Sequence, residues 1–299
     1  MIPTLLGGGT LGYAEAAVPL RAAWFATTLS GAGMAFFALL FGRELAILDA
    51  TRLHRWTGSA AVAGLLIGVA SLVVQVGALT SGQALLDAEV WEIALRSPVG
   101  ASYGIGGTGL LLVALLSRGR RWTVVAVVGG VLACASYLLF GHTTQAGPRP
   151  LLAMLLLLHL LGAAFWIGSL LPLAWAARRS GPEAARVIER WARIAVLVVP
   201  MQLAVGLLLA WVLLGSIEML LTSRYGWALL AKVGLVAALL GLAAWHRQRL
   251  TPALSRGLPG ADTRLARSIW MEATIAAAVL YVAAEVVATS PGDLLRGPG

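Results

Sequence analysis

The chain has 299 residues, of which 59% are hydrophobic and only 12% charged, and its mean hydropathy is +0.86. A soluble domain of this length carries far more surface chemistry, so the composition excludes one and defines a polytopic membrane protein. A net charge of +9 would suggest a nucleic-acid partner in a soluble protein, but here the positions of the arginines give it another meaning, and no nucleic acid is expected.

Hydropathy predicts eight spans of the roughly 20 apolar residues needed to cross a hydrocarbon core of about 30 Å. They lie near 16–42, 56–79, 99–117, 122–140, 151–177, 192–215, 227–245 and 268–289. Each must be a helix, because backbone groups in lipid have to be satisfied within the segment. Long Leu/Ala/Val runs without alternation argue against a barrel. The expected fold is therefore an all-α, eight-helix membrane bundle, one membrane domain over 1–299 in which 1–120 and 121–299 are not separable. The opening MIPTLLGGGT has neither a basic stretch nor a clear cleavage site, so no cleavable signal peptide is expected.

Taken in order, the second span opens at His54-Arg55-Trp56 and carries Gln75, and Asp87, Glu89, Trp91 and Glu92 follow it as a solvated amphipathic turn. The fourth holds the single cysteine, Cys134, which excludes an intramolecular disulfide or a multi-cysteine metal cluster. It ends at Gly141-His142, and the fifth carries Met154 and His159. Pro200 predicts a kink beside Gln202 in the sixth. Lys232 lies in the seventh and Glu285 in the eighth. His54 and His246 sit beside arginines and read as interface residues.

Most of the 22 Lys and Arg fall in alternate connections. Arg43, Arg52 and Arg55 follow the first span, Arg118, Arg120 and Arg121 the third, and further groups lie at 178–193 and 247–267. The opposite side has only Arg21, Arg96, Arg149, Arg224 and Arg296. The positive-inside rule then places both termini outside the cytoplasm.

The chain also reads as two related sets of four spans, approximately 16–145 and 150–290. His54-Arg55-Trp56 recurs as Glu189-Arg190-Trp191 roughly 135 positions later. Ser97-Pro98 precedes the third span, as Ser223-Arg224 precedes the seventh. An even number of spans per half makes this a parallel repeat. The halves are unequal in chemistry: His159 aligns with Trp24, and His142 with Val286 beside Glu285.

Counting about 1.5 Å per residue from the arginine-marked ends puts His142 and His159 at similar depth near the outer boundary. An imidazole at a membrane helix is a functional candidate by default. Two imidazoles make an incomplete site for a borderline-soft transition metal, which Met154, Gln75 or a second-half residue such as Glu285 would complete. Glu285 and Lys232 are more readily an ion pair. No HExxH, phosphate loop or nucleophile with a base is present, and no enzyme is expected. A membrane cytochrome that ligates haem through the same histidines is a competing reading, and a copper-delivery or assembly factor without transport is another.

The Gly141-His142 end of span 4, HLLGAAFWIGSLLPL at 159–173, SRYGWALLAKVGLVAALLGLAAWHRQRL at 223–250 and the later RLARSIWMEAT resemble the copper resistance protein D family of bacterial inner-membrane proteins. This resemblance covers roughly 137–290, the first half matching in general pattern. It implies a multi-pass protein of the cytoplasmic membrane that transports copper, as Cu(I) or Cu(II), taken from the periplasm and often from a soluble CopC-type carrier. Carried over by position, it points to His142 and His159 as metal ligands.

Overall fold

The structure, a computed structural model, describes residues 9–44, 49–80, 82–83, 85–140, 148–179, 181–214 and 216–288. No strand occurs among the described residues. Eight helices are long and apolar enough to cross a membrane. They are α1 (Gly9–Leu40), α2 (Ala50–Thr80), α3 (Pro98–Ala114), α4 (Thr123–Ala135), α5 (Arg149–Arg179), α6 (Gly181–Leu214), α7 (Arg224–Trp245) and α8 (Ala261–Ala288).

The predicted spans coincide with these helices, but several helices start well before the apolar stretch, α6 and α8 with charged opening turns. α6 begins at Gly181 and α8 at Ala261. Their first turns carry Glu183, Arg186, Asp262 and Arg264, which a hydropathy window rejects, while the buried Ala185, Ile188 and Leu265 keep the helical period. Pro200, where a kink is expected, lies inside α6.

α1 is the hub. It packs against α2, α3, α4, α5 and α8. α5 in turn packs against α6 and α8, and α7 against α8. Where α1 and α5 cross, the backbones touch: a Cβ on Gly33 would overlap Ala164 and Gly168, and one on Gly168 would overlap Gly33. α3 and α4 meet in the same way at Gly109, Gly129 and Ala133. Lipid gives helices no hydrophobic drive to associate, so small residues that admit close backbone approach take its place. Gly119, at φ +118°, supplies the reversal from α3 into α4.

The arginine-rich end holds the largest core cluster, in which Phe37 stacks on Phe41 and Phe165 on Trp191. Arg190 pairs there with Glu44 and lies over the Phe41 ring, tying α6 to the end of α1. α6 and α7 lie at the periphery, with Leu197 75% and Trp227 62% exposed. Faces of this kind are what a helix presents to lipid.

At the far end, two connections are built alike. Ala88–Arg96 is a short helix capped by Asp87, whose carboxylate accepts from the Glu89 amide, and Ile217–Thr222 is a short helix capped by Ser216. Each is followed by a serine whose hydroxyl caps the next span: Gly100 N donates to Ser97 Oγ at 3.1 Å, and Gly226 N to Ser223 Oγ at 2.9 Å. The acidic turn expected at Asp87, Glu89 and Glu92 is thus a surface helix, with Arg96 and Glu92 bridged at 2.8 Å.

Candidate metal site

His142 lies outside the described residues, as does the whole segment 141–147 between the end of α4 and Pro148. His159 is described, and its surroundings are specific. It sits about five turns before the arginine pair that ends α5, at the end of the bundle away from the arginines. Its ring lies against α6 where Gly206 leaves room: a Cβ there would stand 3.1 Å from Cε1 and 3.4 Å from Nδ1. The ring engages the backbone carbonyl of Gln202, and its Nδ1 is buried without a hydrogen-bond partner among the described residues. A neutral imidazole keeps a lone pair on one ring nitrogen, the form in which it binds a metal.

The fit between α5 and α6 is reciprocal. His159 fills the gap at Gly206, while the Gln202 side chain fills the gap at Gly162, where a Cβ would overlap Oε1. Gln202 Oε1 is itself buried and unpartnered among the described residues. Two orphaned acceptor atoms, one imidazole nitrogen and one amide oxygen, therefore belong to one helix crossing. Buried polar groups are normally satisfied, so this pair calls for a donor or a cation.

The other residues singled out from the sequence are not assembled around His159. Met154 is 55% exposed, while its neighbours Leu152 and Leu155 are buried; five positions from His159, it points away from the imidazole on the helix surface. Gln75 lies on α2, which packs against α1 and α3, with Oε1 buried and unpartnered among the described residues. Glu285 stands in the field of Arg21, whose guanidinium also reaches the Ala284 carbonyl at 3.5 Å. Lys232, expected to pair with Glu285, instead acts electrostatically on His159. The two share a depth but not a face, because this part of α8 turns toward α1. No group of three His, Cys, Asp or Glu that could hold a metal occurs among the described residues.

The two histidines read as interface residues are buried or nearly so. His54 is 7% exposed, with Nε2 unpartnered among the described residues. His246 reaches across to α8, where its Nε2 lies 2.5 Å from Ser268 Oγ and its Nδ1 3.1 Å from Glu272 Oε1. Glu272 escaped the sequence reading, although its four-residue spacing from Ser268 puts both on one helix face. Gln202 was read only as part of a kink, and neither glycine of the crossing drew notice.

Eight membrane-length helices define a multi-pass membrane protein, with orphaned polar atoms at the α5–α6 crossing. Residues 13–150 match the model described as copper resistance protein D-like, N-terminal domain, and residues 185–286 match copper resistance protein D. The chain belongs to the copper resistance protein D family and is a multi-pass protein of the inner membrane. No curated protein and no solved structure matches it significantly. The first half, which resembled the family only in pattern, is thus matched by a model of its own. His142 falls within that match, whereas His159 lies between the two matched stretches.

Proposed function

We propose that the chain carries copper inward across the membrane and that His159 is a ligand at the entry. The observation that carries this is the unpartnered Nδ1 of His159, set beside the unpartnered Gln202 Oε1. Among the described residues it is also the one histidine at the end away from the arginines. That end is extracytoplasmic by the positive-inside rule, as are both termini. Imidazole and amide donors suit a borderline-soft ion better than Mg²⁺ or Ca²⁺. His142, in the neighbouring connection, is the second proposed ligand, and a soluble CopC-type carrier is the proposed donor of the ion.

A parallel four-plus-four repeat within one membrane domain accompanies this reading. Gly33 and Gly168 are separated by the same interval of roughly 135 positions as the two Arg-Trp pairs, and they touch each other. Equivalent positions meet in this way on a two-fold axis. The matched Ser97/Gly100 and Ser223/Gly226 caps support the same relation.

The test is copper accumulation in cells producing the protein, with metal analysis of the purified material. Accumulation several-fold above that of cells lacking the protein, with copper bound in a fixed ratio, is the expected result. Equal accumulation would refute transport, and a Soret band in the purified protein would favour the haem-binding reading.

Lys232 sharpens the picture. An ammonium near His159 repels an incoming cation, and unit charges several ångströms apart at an effective dielectric near 20 repel by about 2 kcal/mol. Lys232→Met should therefore tighten copper binding roughly 30-fold in a competitive chelator titration. Unchanged affinity would show that the amine carries no charge in the binding state.

A further inference from the structure

At the arginine-rich end, α7 does not finish as a regular helix. Trp245 is followed by a π-helical turn, His246–Leu250, and then by the short helix Thr251–Ser255. Such turns insert an extra residue and re-aim side chains, and they recur at functional sites. Here the turn begins with His246, whose Nδ1 lies 3.1 Å from Glu272 Oε1 and whose Nε2 lies 2.5 Å from Ser268 Oγ on α8. Glu272 is 3% exposed and Ser268 2%. Both lie on the buried stripe of α8, with Leu265, Ile269 and Ala276.

We infer that His246, Glu272 and Ser268 form a proton-binding site between α7 and α8 at the cytoplasmic end of the bundle. The argument rests on charge balance. With one proton the imidazole–carboxylate pair is neutral overall, whether the proton sits on the ring or on the carboxyl. Without it, a net negative charge is left between two helices, which a buried position strongly disfavours. The Ser268 hydroxyl can accept from Nε2–H or donate to its lone pair, so it follows either tautomer of the ring.

α8 packs against α1, α5, α7 and Thr251–Ser255. Residues 26–40 of α1, 160–177 of α5, 233–245 of α7 and 251–255 contain no titratable side chain. Arg247, Arg249, Arg264 and Arg267 are exposed. A cleft of about 280 Å³ lies beside the π-turn, lined by Glu189, Ala192, Arg193, Arg247, Thr251 and Pro252. The order Ser–His–Glu is also that of an acyl-transfer triad, but a hydroxyl buried within α8 cannot reach a substrate carbonyl, so proton exchange is what the geometry serves. The site stands independently of the role proposed for His159.

Infrared pH titration of the full-length protein in lipid nanodiscs tests the inference, with the C=O stretch of a protonated carboxyl as the readout. In the wild type one carboxyl should gain and lose a proton as pH changes, and this signal should vanish in Glu272→Gln, which keeps the side-chain shape. His246→Gln should move its midpoint by at least tenfold in proton concentration. Ser268→Ala, which retains both titrating groups, should move it by less and guards against a variant that misfolds. A wild-type titration indistinguishable from that of folded Glu272→Gln would overturn the site, as would a midpoint unmoved in folded His246→Gln.

Discussion

Purified His159→Ala should lose tight copper binding while keeping its helical fold. The imidazole contributes the one unpartnered ring nitrogen at the α5–α6 crossing. Even a supporting group around a metal is worth 10–100-fold in affinity (roughly, across known sites), so loss of a direct ligand should weaken binding at least that much. The structural cost should be small, about 1 kcal/mol, because the ring packs on a glycine that has no side chain to lose contact with, its Nδ1 has no partner among the described residues to strand, and the residue is only half-buried. Elemental analysis alongside thermal unfolding by circular dichroism separates the two effects. Copper stoichiometry equal to that of the wild type would remove His159 from the site.

A second large effect is expected at the centre of the bundle. Gly168→Leu places a branched side chain where α5 and α1 have their backbones in contact. Over-packing a core with room to adjust costs about 1–3 kcal/mol. Here the obstacle is the backbone of Gly33, which has no rotamer to change, so the loss should reach or exceed about 3 kcal/mol. Gly241→Leu is the matched control, since nothing lies within 4 Å of the Cβ it would add. The first variant should unfold or fail to accumulate and the second should melt like the wild type. Equal melting of the two would mean that the crossing is not held as described.

The helices were legible in the sequence because the bilayer imposes one length and one polarity, and eight apolar stretches satisfy both. The two ends of the bundle were legible too, since the arginines gather at one of them. Rotation was not. Glu285 and Lys232 stand at comparable depth, yet the first faces Arg21 and the second His159. In an apolar helix surrounded by apolar helices, little in the sequence distinguishes the face that meets a neighbour from the face that meets lipid. The exposed face on which Met154 stands was hidden by this same ambiguity. His246 was misread for another reason: its arginine neighbours suggested a surface, while the π-turn directs the ring inward to Glu272. The α5–α6 crossing was hidden in two glycines, Gly162 and Gly206, whose meaning depends on what lies opposite them.

The position of α1 bears on how the bundle can be made. It precedes the other seven membrane-length helices, yet it packs on α8, which follows them, and the contact from Arg21 to the Ala284 carbonyl joins residues 263 positions apart. Helices synthesised first normally find partners first, and α1 can pair early with α2. Its other flank has to wait until nearly the whole chain has been inserted, with an arginine facing lipid in the meantime. A nascent chain halted before α8 is left with an open seam and an unshielded cation, the kind of defect by which membrane quality control tells an unfinished protein from a finished one.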